Sequence, residues 1–431
     1  FLISLKDNTF YIIIILLPLS NKKININTLP RVNHMQLGSY RFDRLEFAGS
    51  LGDLGTLLPL AIGMIVINGL DPTGVLLMIG LFYILSGAYY RVTVPVQPMK
   101  VIGAYVIVAG MTQTEISASA LIIGGLLIFL GVTGFIHIIG TYTPQSVVRG
   151  VQLGVGSVLI LRGIEFMLKP EPYLAVQNLG PIGIGLVLGV TGAIVTIALL
   201  NNRRLPAAVV VIFGGILVSL LLGKPIEGTI SLGLYLPKPF PYGIPTGADF
   251  FLALTLLVIP QIPMTLGNAI ISNADLTREY FGKNAKMTSY KALANTQGLA
   301  NIGSFVFGGI PMCHGAGGLA AHYRFGARTA GSNLMIGIIF IGLAVLFGPS
   351  ALSILHLLPL SILGVLLVFA GCQLCLMIKD IKKKTDLFVV VLILGTTLAT
   401  NLGVAFLVGL IIAYAFKAGK IKNLINVVTR W

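Results

Sequence analysis

The sequence predicts an all-α polytopic membrane protein of about fourteen transmembrane helices, arranged as two inverted repeats of seven. Three observations carry this. The 431 residues are 56% hydrophobic and only 10% charged, with a mean hydropathy of +0.94, a balance that excludes a soluble domain. Apolar runs of about 20 residues, the length a helix needs to cross a bilayer, recur along the chain. They are continuous rather than alternating, which argues for helices and against a closed barrel. Two proline-interrupted segments, near residues 98 and 311, also sit at matching places in the two halves, a pattern that points to a substrate site near the membrane midplane.

In chain order, residues 1–34 differ from the rest. They are rich in Ile, Asn and Lys and begin with Phe, so Met35 is the expected native start and 1–34 a non-native or disordered extension. A signal anchor on 10–19 competes with this reading, but that stretch is short for a span and has no small-residue cleavage site. The first repeat, 40–223, holds spans at 45–67, 72–90, 94–111, 116–140, 145–167, 181–200 and 205–223. The second, 249–417, holds 249–272, 288–307, 309–328, 330–348, 352–378, 385–399 and 402–417. Residues 224–248 are rich in proline and glycine, the composition of a linker. Residues 418–431 form a tail.

Loop charges test the count. With the N-terminus inside, the inner segments hold twenty Lys and Arg, among them Arg41, Arg91, Arg149, Lys286 and 382–384, whereas the outer ones hold Arg162, Lys169, Lys224 and Lys238. This asymmetry places both termini in the cytoplasm. It also accounts for the formal charge of +15 as orientation, so no nucleic-acid partner is expected. Seven is odd, so two successive repeats must have opposite topology. The spacings agree: Asp53 precedes Pro98 by 45 residues and Gln261 precedes Pro311 by 50, while Pro98 precedes Pro144 by 46 and Pro311 precedes Pro359 by 48.

The stretch 93–104, Thr-Val-Pro-Val-Gln-Pro-Met-Lys-Val-Ile-Gly-Ala, is the centre of this arrangement. Pro95 and Pro98 push the residues before them out of the α region, giving a short extended segment. Pro98 then suits the start of a new helix. A helix that begins in mid-membrane presents free N–H groups and a positive dipole end, a ready anion site. Lys100 adds a full charge there, and an ionisable group at membrane depth points to function. A second Pro-Met pair, at Pro311 and Met312, opens the small-residue run Cys313-His314-Gly315-Ala316-Gly317-Gly318. Two opposed helix N-termini would hold one dianion, with Gln97, Met99, Lys100, Met312, Cys313, His314 and Gly315 as the candidate substrate-binding residues. His314 is either a donor or a packed neutral histidine, and Cys313 and the methionines also fit simple packing.

Asp53 lies about two turns into the first span, in Gly52-Asp53-Leu54-Gly55-Thr56. A carboxylate there must be paired, hydrated or protonated. It reads either as a structural partner of Lys100 or, with Thr56, as a gating or coupling element. In the eighth span, Pro260 and Pro263 flank Gln261, whose neutral amide suits an oxyanion better than a carboxylate would; an interhelical hydrogen bond is the rival role. His322, Arg324 and Arg328 are expected at the cytoplasmic edge, where anchoring is a simpler role than an anion funnel. His137 and His356 read as core histidines. Cys372 and Cys375 form a C-x-x-C on a membrane helix with no further Cys or His nearby in sequence, so packing is the better reading. No triad, zinc set or G-K-[ST] loop is present in the sequence. No cofactor is therefore expected, and an enzyme is not.

Gly52-Asp53-Leu54-Gly55-Thr56 with Pro59, Pro95-Val96-Gln97-Pro98-Met99-Lys100, and 311–318 together resemble the molybdate transporter family, distant relatives of the sulfate permeases. The likeness spans residues 40–417. It implies a core domain of spans 1–4 and 8–11 and a gate domain of spans 5–7 and 12–14, with short strands before the half-helices of spans 3 and 10. It further implies alternating-access transport of molybdate or a similar tetrahedral oxyanion, and a homodimer. A general sulfate or oxyanion carrier is the nearest alternative; an anion channel is an alternative of a different class. The chain stops about 14 residues after the last span, leaving no room for a sulfate permease's regulatory domain, which favours the molybdate family. Gln261 stands where proton-coupled relatives often carry a carboxylate, so Asp53 is the remaining coupling candidate. The compact chain favours a prokaryotic plasma membrane over a eukaryotic organelle membrane.

Overall fold

The computed structural model describes residues 35–37, 40–136, 144–169, 171, 176–200, 202, 206–225 and 230–418. The expectations for the extension 1–34, His137 and the tail beyond residue 418 lie outside them. Among the described residues, five helices are long and apolar enough to cross a membrane, or seven if each bent pair is one span; four further apolar helices are shorter.

A hairpin of β1 (Met35–Leu37) and β2 (Tyr40–Phe42) leads into α1 (Arg44–Ser50), capped by the Asp43 side chain. The chain breaks and turns by 45° before α2 (Leu54–Val66). α3 (Pro72–Tyr90) starts as the sequence suggests, with Asp71 as cap and proline in the first turn. An extended stretch follows and ends in β3 (Gln97–Pro98), after which α4 (Lys100–Ala109) begins at membrane depth. Ten residues make about 15 Å of helix, half the hydrocarbon thickness. The second half repeats this: β6 (Met312–Cys313) precedes the ten-residue α11 (Ala316–Phe325).

Between these lie α5 (Gln113–Thr133), α6 (Gln145–Leu168), the small β4–β5 pair (Asn178–Leu179 and Ile182–Gly183), α7 (Ile184–Leu199) and α8 (Ala207–Leu221). α9 runs for 39 residues, Gly247–Ala285. It carries two π-helical stretches, Ala253–Val258 and Thr265–Ser272, on either side of Pro260 and Pro263. Each proline removes a donor from the helical ladder, and the wider turns absorb the resulting mismatch. α10 is Tyr290–Phe307 and α12 is Gly331–Phe347.

The structure corrects one expected span. Residues 352–378 do not form a single helix. α13 (Ser350–His356) bends by 103° from α12 at Gly348 and Pro349. A new helix, α14 (Leu360–Cys375), then starts after Pro359. The buried Glu171 carboxylate fixes that start by accepting the backbone N–H of Leu360 (2.9 Å) and Ser361 (2.7 Å). α15 (Lys384–Ala399) and α16 (Leu402–Lys417) complete the described chain.

Three helix pairs carry much of the packing, and each meets at glycines. Gly80 of α3 lies on Gly337 of α12, Gly124 of α5 on Gly298 of α10, and Gly156 of α6 on Gly371 of α14. A Cβ at any of these would press on the partner helix, so small residues allow the close approach.

Candidate functional site

The two half-helices start side by side. β3 and β6 pair antiparallel, Gln97 opposite Cys313 and Pro98 opposite Met312, and the Met99 N–H donates to the Pro311 carbonyl at 2.8 Å. Extended backbone at membrane depth must have its polar groups satisfied by protein, and here side chains do that. Asn333 accepts from the Val94 N–H and donates to the Val94 carbonyl (2.6 Å), and the Tyr83 hydroxyl donates to Val96. On the other segment Asn301 accepts from the Met312 N–H and donates to its carbonyl, both at 2.8 Å. His314 lies with Nδ1 2.9 Å from the Pro95 carbonyl, its ring packed against Phe82 and Tyr90.

The two N-termini are finished differently. At α4 no side chain caps from Met99; instead Gln261 reaches in from α9. Its Oε1 accepts the N–H of Val101 (2.9 Å) and Ile102 (3.2 Å), and its Nε2 donates to the Thr265 hydroxyl. At α11 no side chain caps from Gly315. The first turn is Ala316, Gly317 and Gly318, and Asp53 and Gln97 lie over it. A Cβ on Gly318 would stand 2.5 Å from Asp53 Oδ2 and 2.7 Å from Gln97 Nε2, and one on Gly315 would overlap the Gln97 amide. Glycine at both positions therefore lets these polar groups reach the helix start.

Asp53 sits at the break between α1 and α2. Its Oδ1 accepts from Gln97 Nε2 at 2.7 Å, while its Oδ2 is buried, with the Thr56 hydroxyl its nearest donor among the described residues. Lys100 is 8% exposed, and its ammonium makes no hydrogen bond or ion pair among the described residues. The carboxylate is thus bonded to an amide rather than ion-paired with the lysine.

Both groups face a partly open cavity of about 350 Å³. One wall contains Asp53, Thr56, Lys100 and Gly317; the other is formed by α6 and α14 through Leu159, Ala370, Gln373 and Leu374. Of the residues singled out from sequence, the cavity brings together Asp53, Thr56 and Lys100. Gln97 stands behind Asp53. Gln261 is buried on the far side of the α4 start, and Met99, Met312, Cys313 and His314 are packed among α3, α4 and α10 or their flanking segments. His322 is fully buried rather than at an edge, its Nδ1 2.9 Å from the Thr93 hydroxyl. Sequence reasoning passed over Gln373, Asn301 and Asn333. Each is an amide inside a predicted span, and that polarity was the signal.

The described residues contain no cluster of His, Cys, Asp or Glu able to hold a metal. The arrangement offers an ammonium with no ion pair among the described residues, a helix start, and hydroxyl and amide donors around a partly open cavity. Those are the groups that bind an anion.

Comparison with known proteins agrees. The family model described as "Molybdate transporter of MFS superfamily" matches residues 45–159 and 253–374. Molybdate transporter 1 of Arabidopsis thaliana is 29% identical over 407 residues, covering 86% of this chain and 87% of the relative. Molybdate transporter 2 of the same plant is 29% identical over 390 residues, 80% and 81% of the two chains. Molybdate transporter 1 of Chlamydomonas reinhardtii is 27% identical. These relatives, from a plant and an alga, lend no support to a prokaryotic plasma membrane. Among solved structures, the transmembrane domain of the cyanobacterial bicarbonate transporter BicA superposes with a TM-score of 0.61 at 17% identity, covering 86% of this chain and 97% of that one. The murine anion transporter Slc26a9 in its inward-facing state gives 0.64 at 14%, covering 90% and 70%. The fold is that of these anion transporters, an integral membrane fold of mainly helices. By the family match over more than half its length, the chain belongs to the molybdate transporter family.

Proposed function

We propose that this chain is a secondary active transporter that carries molybdate across a membrane by alternating access, with the anion held in the cavity between the half-helix starts and α14. The observation that carries the reading is Lys100: a nearly buried ammonium that makes no hydrogen bond or ion pair among the described residues and feels Asp53 only through space, beside the first turn of α11. A buried unpaired charge is costly, and a tetrahedral dianion would supply the missing counter-charge.

The cavity walls support a division into a core of spans 1–4 and 8–11 and a gate of spans 5–7 and 12–14. One wall comes from the break before α2, from α2, α4 and α11, the other from α6, α14 and the turn that follows it. The glycine-faced pairs support fourteen spans in two inverted repeats, because α3 pairs with α12 and α5 with α10, the second span of each half with the fourth of the other. Loop charges support cytoplasmic termini. Asp53 is the coupling group in this reading: a carboxylate beside a dianion repels it unless a proton arrives too.

The test is uptake of radiolabelled molybdate into proteoliposomes holding the purified chain, with and without excess sulfate, at two imposed pH gradients. Concentrative uptake that resists sulfate is the expected result. Uptake abolished by sulfate would make the protein a general oxyanion carrier. Currents far above any carrier turnover would make it a channel.

A further inference from the structure

The wall of the cavity opposite Lys100 is apolar, built from Leu159, Ala370, Leu374 and Met377, with Gln373 its single polar lining residue. Gln373 is exposed to the cavity. Its Oε1 accepts the Thr56 hydroxyl at 3.2 Å, a bond that crosses from α14 to α2. Its Nε2 has no partner among the described residues. An anion seated between Lys100 and the α11 start would turn its remaining oxygens toward that wall, where two amide protons are the only donors available.

We infer that Gln373 is a substrate-binding residue whose amide donates to the oxygens of a bound tetrahedral dianion on the side away from Lys100, with Thr56 as the positioning residue that holds its amide. The inference rests on the transport reading above. Its chemistry is a matter of donors and acceptors. Molybdate and sulfate are fully ionised at neutral pH and only accept hydrogen bonds. Without Gln373 the oxygens facing this wall would meet only apolar side chains and give up water with no donor in its place.

The experiment measures molybdate uptake by the full chain in proteoliposomes as a function of molybdate concentration. Gln373→Leu removes the donors from an exposed position without opening a cavity in the core. It is expected to raise KM for molybdate about tenfold, the worth of one hydrogen bond to a charged group, with a smaller change in kcat. Gln373→Asn, which keeps a donor, should recover part of the loss. Thr56→Val releases the amide from α2 and should raise KM by less than Gln373→Leu does. Wild-type uptake alongside an unchanged KM in Gln373→Leu would overturn this inference alone. Absence of oxyanion uptake by the wild type would remove the transport reading and this inference together.

Discussion

The starts of α4 and α11 look like copies in sequence, each a Pro-Met pair opening a short helix, yet the protein completes them in opposite ways. At α4 the backbone N–H groups of Val101 and Ile102 are taken by the Gln261 amide, and positive charge is offered by a side chain, Lys100. At α11 no side chain accepts from the first-turn N–H groups among the described residues, and the glycines there admit the Asp53–Gln97 pair over that turn. One end is closed by a neutral amide, and the other faces a carboxylate that is not hydrogen-bonded to it. In the proposed reading an anion would sit toward α11 and the tip of Lys100. Matching motifs in the two halves thus need not do matching jobs.

Substitutions can sharpen or break this contrast, and the largest effect is expected at Lys100. Lys100→Met keeps the length and removes the charge; molybdate affinity should fall about 10- to 100-fold, as loss of a charged hydrogen bond predicts, measured as KM in uptake assays. Next comes Gly315→Ala. The added methyl collides with the Gln97 amide, displaces the Asp53 partner and should abolish transport while the protein still elutes as a folded species in detergent. If Gly315→Ala transported normally, the α11 start would not depend on this packing. Asp53→Asn should leave binding intact but flatten the response of uptake to an imposed pH gradient; an unchanged response would move coupling elsewhere. Gln261→Leu leaves two buried N–H groups without an acceptor and should destabilise the protein by about 1–3 kcal/mol, read as a lower melting temperature. A fall in molybdate affinity larger than the stability loss would instead place Gln261 in the anion site. The smallest effect is expected at Cys313→Ser, whose sulfur only brushes the Pro98 carbonyl at 3.9 Å.

Much of the fold was legible because single residues announce it. Asp71 and Pro72 mark the start of α3, and the proline pairs mark the two half-helices. The bend at Gly348 and Pro349 was not, because an apolar run of that length reads equally well as one span or as two pieces. Of the site, Asp53, Thr56 and Lys100 were found because charge and hydroxyl groups stand out in an apolar context. What Gln261 does was undetermined, since its partners lie about 160 residues away and no local pattern encodes that contact. Gln373 was missed for the same reason: which face of α14 meets the cavity is set by its glycine-lined packing on α6. His314, prominent in the motif, is turned by the chain toward Pro95 and α3.

The central claim is that Lys100 and the α11 start hold the anion. The most direct test is equilibrium binding of molybdate to the purified full chain in detergent, read as ligand-dependent thermal stabilisation, for wild type and Lys100→Met side by side. Wild type should gain stability with rising molybdate, as any ligand that binds only the folded state requires, and Lys100→Met should gain little at the same concentrations. Equal stabilisation of both would contradict the account and place the anion away from this cavity wall.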